Sequence, residues 1–293
     1  MSAEPKNLLV AIFLIISSAH SFAKVEAVIG PTSLANNSNI AINLPDTNES
    51  EILISRDQYL ISYNKNRRAP NYVAWKIERS QLGNAGRSDN FQQDPDLENY
   101  LNHTSQDLHG VDATDYKNSC FDRGHQVPSG DRTDTKANNE PTFVMSNMIP
   151  QTAYLNRVIW EHLESYTRDL VTGQGKKIYV FAGPIYDLDF GAIGPNRDIP
   201  VPSKDFKIIL ILEANQTPRD IGPNTPVISV IMPNVLKDGS QPVPYSTGCG
   251  GSAIDTTGAT ASDDWKQYQT TISDIEAKSG LDFHSSFGKA AAH

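Results

Sequence analysis

Hydrophobic residues recur at helical spacing over residues 154 to about 171, which makes this segment the strongest helix prediction in the chain. The apolar stripe consists of Leu155, Ile159, Leu163, Tyr166 and Leu170. A second stripe repeats every four residues and consists of Asn156, Trp160, Glu164 and Arg168. The pattern predicts an amphipathic helix that ends at Gly173 and carries a row of polar groups beside its apolar face.

Short β-prone runs account for most of the remaining apolar residues. The predicted strands are residues 58–63, 72–77, 142–146, 177–182, 206–213 and 226–231. The first two form a predicted hairpin, and the run at 206–213 is apolar enough for a strand covered on both faces. A helix is predicted at 271–278, ending at Gly280, whereas 80–118 is polar and mostly loop. This mixture predicts an α+β fold with helices flanking a central, mostly antiparallel sheet.

Length and composition indicate one globular domain preceded by two other segments. The chain has 293 residues, of which 38% are hydrophobic and 20% charged, and no linker interrupts the middle. Residues 1–23 resemble a signal peptide: Lys6 precedes an apolar run at 8–16, and Ser21-Phe22-Ala23 offers a cleavage site. We expect a loosely ordered arm at 24–50 and the domain at 51–288.

The signal segment predicts a secreted or periplasmic protein without stable membrane association after cleavage. The apolar run is short for a membrane span, but an uncleaved anchor stays open as an alternative. Export favours a disulfide between the two cysteines, Cys120 and Cys249. The sequence leaves the oligomeric state open.

One short stretch brings together residue types suited to phosphodiester chemistry. In Cys120-Phe121-Asp122-Arg123-Gly124-His125-Gln126 an arginine and a histidine flank a glycine, and Asn156 opens the helix further along. A histidine can accept a proton from water, an arginine can neutralise phosphate charge, and an amide oxygen can bind a hard cation.

This stretch resembles the signature of the DNA/RNA non-specific endonucleases, the sugar-non-specific branch of the ββα-metal superfamily. The resemblance continues through Ser146-Asn147, Pro150-Gln151, Leu155-Asn156, Trp160 and Glu164 in matching order and spacing. It implies a ββα-metal active-site motif within the α+β fold. It also implies that His125 is the general base and that Asn156 holds Mg²⁺, for which Mn²⁺ can substitute.

Other site residues follow from the resemblance with open alternatives. Glu164 would accept hydrogen bonds from the metal's waters, or be a solvated carboxylate. Arg168 would lie near the leaving group, or simply pair with Glu164. Arg123 and Arg87 are candidates for phosphate contact, although Arg87 fits an exposed solubilising residue nearly as well.

For several residues the ordinary structural interpretation stands beside the functional one or replaces it. His125 alone could be a buried structural histidine, and Asn156 a helix cap. Strand alternation would turn Asp122 away from Arg123, so we expect a structural role for it. We expect the same of His162, while Asn147 is a candidate for orienting the site.

The net charge of −9 opposes nucleic-acid binding, which favours positive charge. Six basic residues against one acid lie between 64 and 87, namely Lys65, Arg67, Arg68, Lys76, Arg79 and Arg87 against Glu78. This cluster predicts a basic groove on an acidic body.

The leading hypothesis is an exported, metal-dependent endonuclease that cuts DNA and RNA through phosphate contacts, with little sequence preference. Two rivals stay open. One is an exported nucleic-acid-binding module that has lost catalysis, and the other is a phosphodiesterase for a different substrate.

Overall fold

A computed structural model describes residues 25–39, 43–104, 108–246 and 263–283. In chain order the strands of these residues are β1 (Ala27–Ile29), β2 (Asp46–Thr47), β3 (Ile52–Arg56), β4 (Tyr59–Asn64), β5 (Ala69–Ile77), β6 (Asp122–His125), β7 (Met148–Gln151), β8 (Lys177–Ile185), β9 (Ala192–Ile193), β10 (Ile199–Pro200), β11 (Lys204–Leu212), β12 (Val227–Pro233) and β13 (Leu281–Asp282). The α-helices are α1 (Pro95–Thr104), α2 (Lys136–Asn139), α3 (Trp160–Gln174) and α4 (Ile272–Ser279).

Seven strands form the central sheet in the order β1-β3-β4-β5-β8-β11-β12. Its pairs are antiparallel except for β1 with β3, which run parallel. The predicted α+β fold with a mostly antiparallel sheet is confirmed. The predicted hairpin is also present, as β4 and β5, with its ends at Asn64 and Ala69.

Both faces of the sheet are covered, as the apolar run at 206–213 predicted. Alternation along β11 places Ile209 in a core beneath α3, together with Leu163 and Trp160. Phe206 and its alternate neighbours face the opposite way, into a core shared with α4. Each fully buried aliphatic side chain contributes about 1.5–3 kcal/mol to folding, so the sheet is the rigid base on which the site is built.

The helix predicted at 154 to about 171 is present, but its first turn is not α-helical. Leu155–Ile159 forms a π-helical turn that continues into α3. The helix runs beyond the predicted end at Gly173 and stops where Gly175 takes a left-handed conformation, with φ of 67°. The terminal helix was predicted closely: Thr271 caps α4 and Gly280 ends it.

One local prediction was wrong, and another was incomplete. Residues 142–146 form 3₁₀ turns, and the strand begins only at Met148. The segment 80–118 contains helix α1. The sequence shows no clear period at this point, but Pro95 is the first helical residue and Asp94 Oδ1 accepts the amide of Asp96 at 3.1 Å.

The segment 24–50, expected to be a loosely ordered arm, carries two short strands in its described residues. β1 extends the central sheet, and β2 pairs with β13 near the other end of the chain. Polar residues of this segment are buried: Asn37 Nδ2 donates to Ser55 Oγ at 2.9 Å and to the carbonyl of Arg56 at 3.0 Å. Their hydrogen bonds to β3 and its turn replace the water that the composition suggested.

Residues 1–24 fall outside the described ranges, and so does the predicted signal peptide. Of the helices within those ranges, none has the length and apolar character needed to cross a membrane.

Candidate active site

The Arg-Gly-His stretch lies on β6, which pairs with β7 to form a separate two-stranded ribbon. Gly124 pairs with Ile149, and the Gln151 side chain packs directly over it. A Cβ atom on residue 124 would lie 2.1 Å from Gln151 Oε1, which no side chain tolerates without moving its neighbour. The glycine between Arg123 and His125 is therefore required by packing.

Asn147 fixes the chain immediately after His125. Its Nδ2 donates to the carbonyls of Val127, at 3.0 Å, and Thr142, at 2.9 Å, while its Oδ1 accepts the Val127 amide at 3.0 Å. The Asn147 carbonyl also accepts the amide of Gln126 at 2.9 Å. All of this is buried. The candidate orienting residue thus holds the backbone beside the histidine and does not reach the cavity.

His125 is held by aromatic rings. Phe143 and Phe91 contact the imidazole edge-on, with ring centroids at 4.9 and 5.6 Å. Its Nε2 is enclosed without a hydrogen-bond partner among the described residues. Burial and the positive charges of Arg87 and Arg123 lower the pKa of His125 to about 3. The imidazole is therefore neutral at physiological pH and able to accept a proton.

Two guanidinium groups flank the histidine. Arg123 stacks on Phe91 at 3.9 Å from the ring centroid and forms no ion pair within the described part of the chain. Arg87 is exposed, with Nη1 donating to Ser129 Oγ at 2.8 Å and Nε to Asp89 at 3.1 Å. Both have unsatisfied N–H groups suited to a phosphate.

Asn156 lies in the π-helical turn, opposite the histidine strand. Its Nδ2 donates to Asp122 Oδ2 at 2.9 Å. An ionised carboxylate only accepts hydrogen bonds, so this contact fixes which side of the amide is nitrogen. Arg157 holds Asp122 in turn, with two hydrogen bonds of 2.7 Å. The amide oxygen of Asn156 accepts nothing from the described residues and is available to a cation.

The expectation that Asp122 would be turned away from the site is wrong. Asp122 and Arg123 both lie on the cavity wall. The prediction from strand alternation does not hold here, because β6 is short and Asn156 of the π-helical turn contacts its first residue, Asp122. The motif spacing contained no signal of this contact, since Asp122 and Asn156 are far apart in sequence.

Glu164 and Arg168 lie on the cavity side of α3. Arg168 Nη1 is 4.0 Å from Glu164 Oε2 and 3.3 Å from buried Asp131 Oδ1. Glu164 Oε1 also lies 3.5 Å from Nζ of Lys207, a residue of β11. Burial raises the pKa of Glu164, and the positive charges of Lys207 and Arg168 oppose that rise. Sequence analysis missed Lys207, although a lysine in an otherwise apolar strand was a visible signal.

These residues surround a single cavity of about 1060 Å³. All six side chains that the sequence singled out line it, namely Arg87, Arg123, His125, Asn156, Glu164 and Arg168. The wall carries five basic residues, which are Arg87, Lys117, Arg123, Arg157 and Arg168. It carries three acids, Asp122, Glu161 and Glu164. The cavity is thus locally basic on a chain whose net charge is −9.

The basic groove was expected from the wrong residues. The cluster at 65–76 is neutralised by local acids: Lys65 pairs with Glu26, Arg67 with Glu49, Arg68 with Asp115 and Asp198, and Lys76 with Glu78. Of the six basic residues counted there, Arg87 alone lines the cavity. The composition of a segment did not reveal which of its charges had partners from elsewhere in the chain.

The cavity contains oxygen groups of the kind that hard cations bind. Within the described ranges, no group of three or more His, Cys, Asp and Glu side chains could hold a metal ion. Mg²⁺ keeps several of its waters and takes only one or two protein oxygens, so a single amide oxygen is compatible with it. His162, expected to be structural, lies off the cavity and pairs with Asp264 at 3.0 Å.

Comparison with known proteins agrees with this geometry. A family model described as DNA/RNA non-specific endonuclease matches residues 36–290. A nuclease of Nostoc sp. is 35% identical over 234 residues, covering 80% of this chain and 73% of the relative. The mitochondrial endonuclease G of Homo sapiens is 29% identical over 203 residues, covering 65% of this chain and 63% of that protein.

The fold also matches a solved structure. The crystal structure of an EndoG/EndoGI complex aligns with a TM-score of 0.57 at 23% identity, covering 82% of this chain and 92% of that one. At this identity the match concerns the fold alone, and the arguments about the site rest on the residues described above.

Proposed function

Since the chain belongs to the DNA/RNA non-specific endonuclease family and is an endonuclease, we propose that it hydrolyses DNA and RNA with His125 as general base and a divalent cation on Asn156. One observation carries the proposal. A neutral histidine, an arginine without an ion pair among the described residues, and an oriented amide oxygen line one basic cavity. A binding module without catalysis is set aside, because the family and the relatives are nucleases.

Each protein group has a task that its surroundings support. His125 takes a proton from the water that attacks phosphorus in line. Arg123 and Arg87 bind the phosphate and stabilise the extra negative charge of the pentacoordinate state. Their own charges lower the pKa of His125, so a bound phosphate offsets them and makes the imidazole a stronger base as substrate arrives.

The helix side completes the site. The Asn156 amide oxygen would hold Mg²⁺, or Mn²⁺ in its place, and Glu164 would accept hydrogen bonds from water in the same cavity. A bound divalent cation supplies Lewis-acid stabilisation of the negative charge on phosphate oxygens. Asp131 and Glu164 hold Arg168 by ion pairs. We therefore propose that Arg168 orients the helix side of the cavity and faces the leaving group. Contact with phosphates accounts for tolerance of both sugars.

Plasmid nicking tests the proposal. We expect cleavage of supercoiled DNA and of structured RNA with added Mg²⁺, loss in excess chelator, and recovery with Mg²⁺ or Mn²⁺. Asn156→Ala should raise the Mg²⁺ concentration needed for half-maximal rate. Undiminished cleavage in chelator would remove the cation from the mechanism, and inactivity on both nucleic acids would favour a phosphodiesterase with another substrate.

We also propose export and a Cys120–Cys249 disulfide. Cys249 lies outside the described residues, but Cys120 Sγ is 3.1 Å from the carbonyl oxygen of Ser246, three residues before it. This contact between Cys120 and the segment just before Cys249 in sequence supports the proposed pairing. Closing this loop would stabilise the fold by about 4–5 kcal/mol in the chain-entropy model.

Two measurements test this pair of proposals. Thiol titration of the denatured, unreduced protein should find no free thiol, and two per chain would end the disulfide proposal. N-terminal sequencing of protein recovered outside the cytoplasm should begin near residue 24. Relatives named as mitochondrial show that the family occupies more than one compartment, so the location needs its own experiment.

A further inference from the structure

Lys207 is a buried cation in an apolar strand. Its side chain is 2% exposed, and β11 reads Lys-Asp-Phe-Lys-Ile-Ile-Leu-Ile-Leu. Strand alternation places Lys207 on the same face as Ile209, beneath α3. Burying a charged ammonium in such a position destabilises the fold by several kcal/mol unless the charge is paired. The contacts of Lys207 therefore indicate its role.

The contacts of Lys207 converge on the underside of the cavity. Its Nζ lies 3.5 Å from Glu164 Oε1 and 3.9 Å from the ring centroid of Trp160. A second ring, that of Trp75, lies at 5.8 Å. The two indoles shield the ammonium from water, which strengthens its attraction to the carboxylate. Trp75 is itself fixed, because its Nε1 donates to Asp131 at 2.8 Å.

Glu164 is the member of this pair that reaches the cavity. Four charged groups surround it: Lys207 from β11, Asp131 from a 3₁₀ turn, and Arg168 and Glu161 from its own helix. Lys207 is nearer than Arg168, which lies 4.0 Å away and is shared with Asp131 and Glu161. Without Lys207, the remaining neighbours of Glu164 would be one shared cation and two acids.

We propose that Lys207 is a positioning residue, which holds the Glu164 carboxylate charged and aimed into the cavity from beneath. This inference rests on the proposed function, because it gives Glu164 its ability to accept hydrogen bonds from water at the cation site. Lys207 does not touch substrate. It acts through Glu164.

The test compares Lys207→Met with a matched control on the same strand face, Ile209→Ala. Methionine retains the contact with the indoles and removes the charge. We expect Lys207→Met to lower kcat roughly 10- to 100-fold and to raise the Mg²⁺ concentration for half-maximal rate. The acidic limb of its pH–rate profile should move to higher pH, because Glu164 would then hold its proton longer. Ile209→Ala should lower Tm and leave both the profile and the Mg²⁺ requirement unchanged.

A double variant tests whether Lys207 acts through Glu164. In a Glu164→Gln background, Lys207→Met should produce no further loss of rate and no further shift of the profile. A further loss would overturn the proposal, as would a Lys207→Met profile that superimposes on that of Ile209→Ala. Should Lys207→Met fail to fold, Lys207→Gln keeps a donor without the charge and takes its place.

Stability supplies a readout that does not depend on nuclease activity. Thermal unfolding of the two single variants and the double variant should show coupling, because each single change removes one member of the same buried ion pair. Additive changes in Tm would contradict the ion pair between Lys207 and Glu164. Coupled changes in Tm in a protein that cleaves neither DNA nor RNA would support the ion pair and contradict the proposed function. The two failures are therefore distinguishable.

Discussion

Two walls of the cavity hold their functional groups by opposite means. The strand wall, residues 122–125 of β6, presents Arg123 and His125 without an ion pair or side-chain hydrogen bond among the described residues. The helix wall, formed by Glu161, Glu164 and Arg168 of α3, pairs its charges with one another and with Asp131 and Lys207.

The difference separates two requirements of the site. Groups that bind phosphate or accept a proton need free polar atoms, so the strand wall is fixed by ring contacts and by a backbone ribbon. Groups that must stay charged although partly buried need partners, so the helix wall is fixed by electrostatics. Substitutions of Arg123 and His125 on the strand wall should therefore change chemistry first, and those behind the helix wall should change stability and chemistry together.

The largest effect should come from His125→Ala on the strand wall. Loss of the proton acceptor should reduce turnover by a factor of roughly 10² to 10⁴ while DNA binding persists. Single-turnover cleavage and a binding assay measure the two. His162→Ala is the matched control, because this buried histidine pairs with Asp264 away from the cavity. It should lower Tm and keep the activity of the folded protein; retained activity in His125→Ala would remove that residue from the mechanism.

Asp122→Asn should break the orientation of the Asn156 amide. An asparagine can present a donor where the carboxylate only accepts, so the Asn156 oxygen loses its fixed direction. We expect a loss of roughly 10- to 100-fold in apparent Mg²⁺ affinity or rate. Arg157→Ala is the control, since it removes the other partner of Asp122 and leaves the contact with Asn156. Equal Mg²⁺ requirements in the wild type and Asp122→Asn would contradict the role given to Asp122.

Gly124→Ala should lower stability through packing alone. The added methyl meets the Gln151 side chain at 2.1 Å, and overpacking of this kind costs about 1–3 kcal/mol. The control is Gly173→Ala in α3, where a Cβ meets nothing within 4 Å and helix propensity predicts a gain of up to about 1 kcal/mol. Opposite shifts in Tm are expected. An unchanged Tm in Gly124→Ala would show that Gln151 moves aside freely.

The smallest effect concerns Asp205, which lies behind the strand wall and accepts a hydrogen bond from Gln151. Burial raises the pKa of Asp205 to about 7, against the effect of this hydrogen bond and of Lys207. The unfolded chain therefore loses this proton at lower pH than the folded chain, and stability falls as pH rises from about 4 to about 7. Asp205→Asn should remove that decline, as measured by Tm at pH 4.5 and 7.5.

Asp187→Asn supplies a control of opposite sign. Burial opposes the shift, but hydrogen bonds from Lys204 and Ser203 lower the pKa of Asp187. Its contribution to stability is present above its unfolded pKa and lost as pH falls. Parallel pH dependence in wild type, Asp205→Asn and Asp187→Asn would contradict both assignments.

The sequence predicted the parts of the molecule whose signals are local and repetitive. α3, α4 and most strands of the sheet follow from periodicity, and five of the six candidate site residues, all but Arg87, follow from a motif with fixed spacing. The predictions failed where a residue's role depends on a distant partner. Lys65 and Arg67 look like a basic surface until Glu26 and Glu49 neutralise them.

The same reason explains the missed residues of the site. Asp122 gains its role from Asn156, and Lys207 from Glu164, and each pair is joined only by the folding of the sheet against α3. In the segment expected to be an arm, 24–50, Asn37 hydrogen-bonds Ser55 and Arg56 of β3 instead of water. Polar composition does not distinguish these two outcomes.

The π-helical turn at Leu155–Ile159 limits how this chain can change in length. A π turn contains one residue more than an α turn, and one residue rotates an α-helix by about 100°. Deleting one of the residues between Asn156 and Glu164 would let the segment close as an ordinary helix and would swing the asparagine away from the glutamate by about that angle. Such a deletion should favour the helix and disable the cavity, so the π-helical turn gives up regular helix geometry in exchange for the alignment of Asn156 with Glu164.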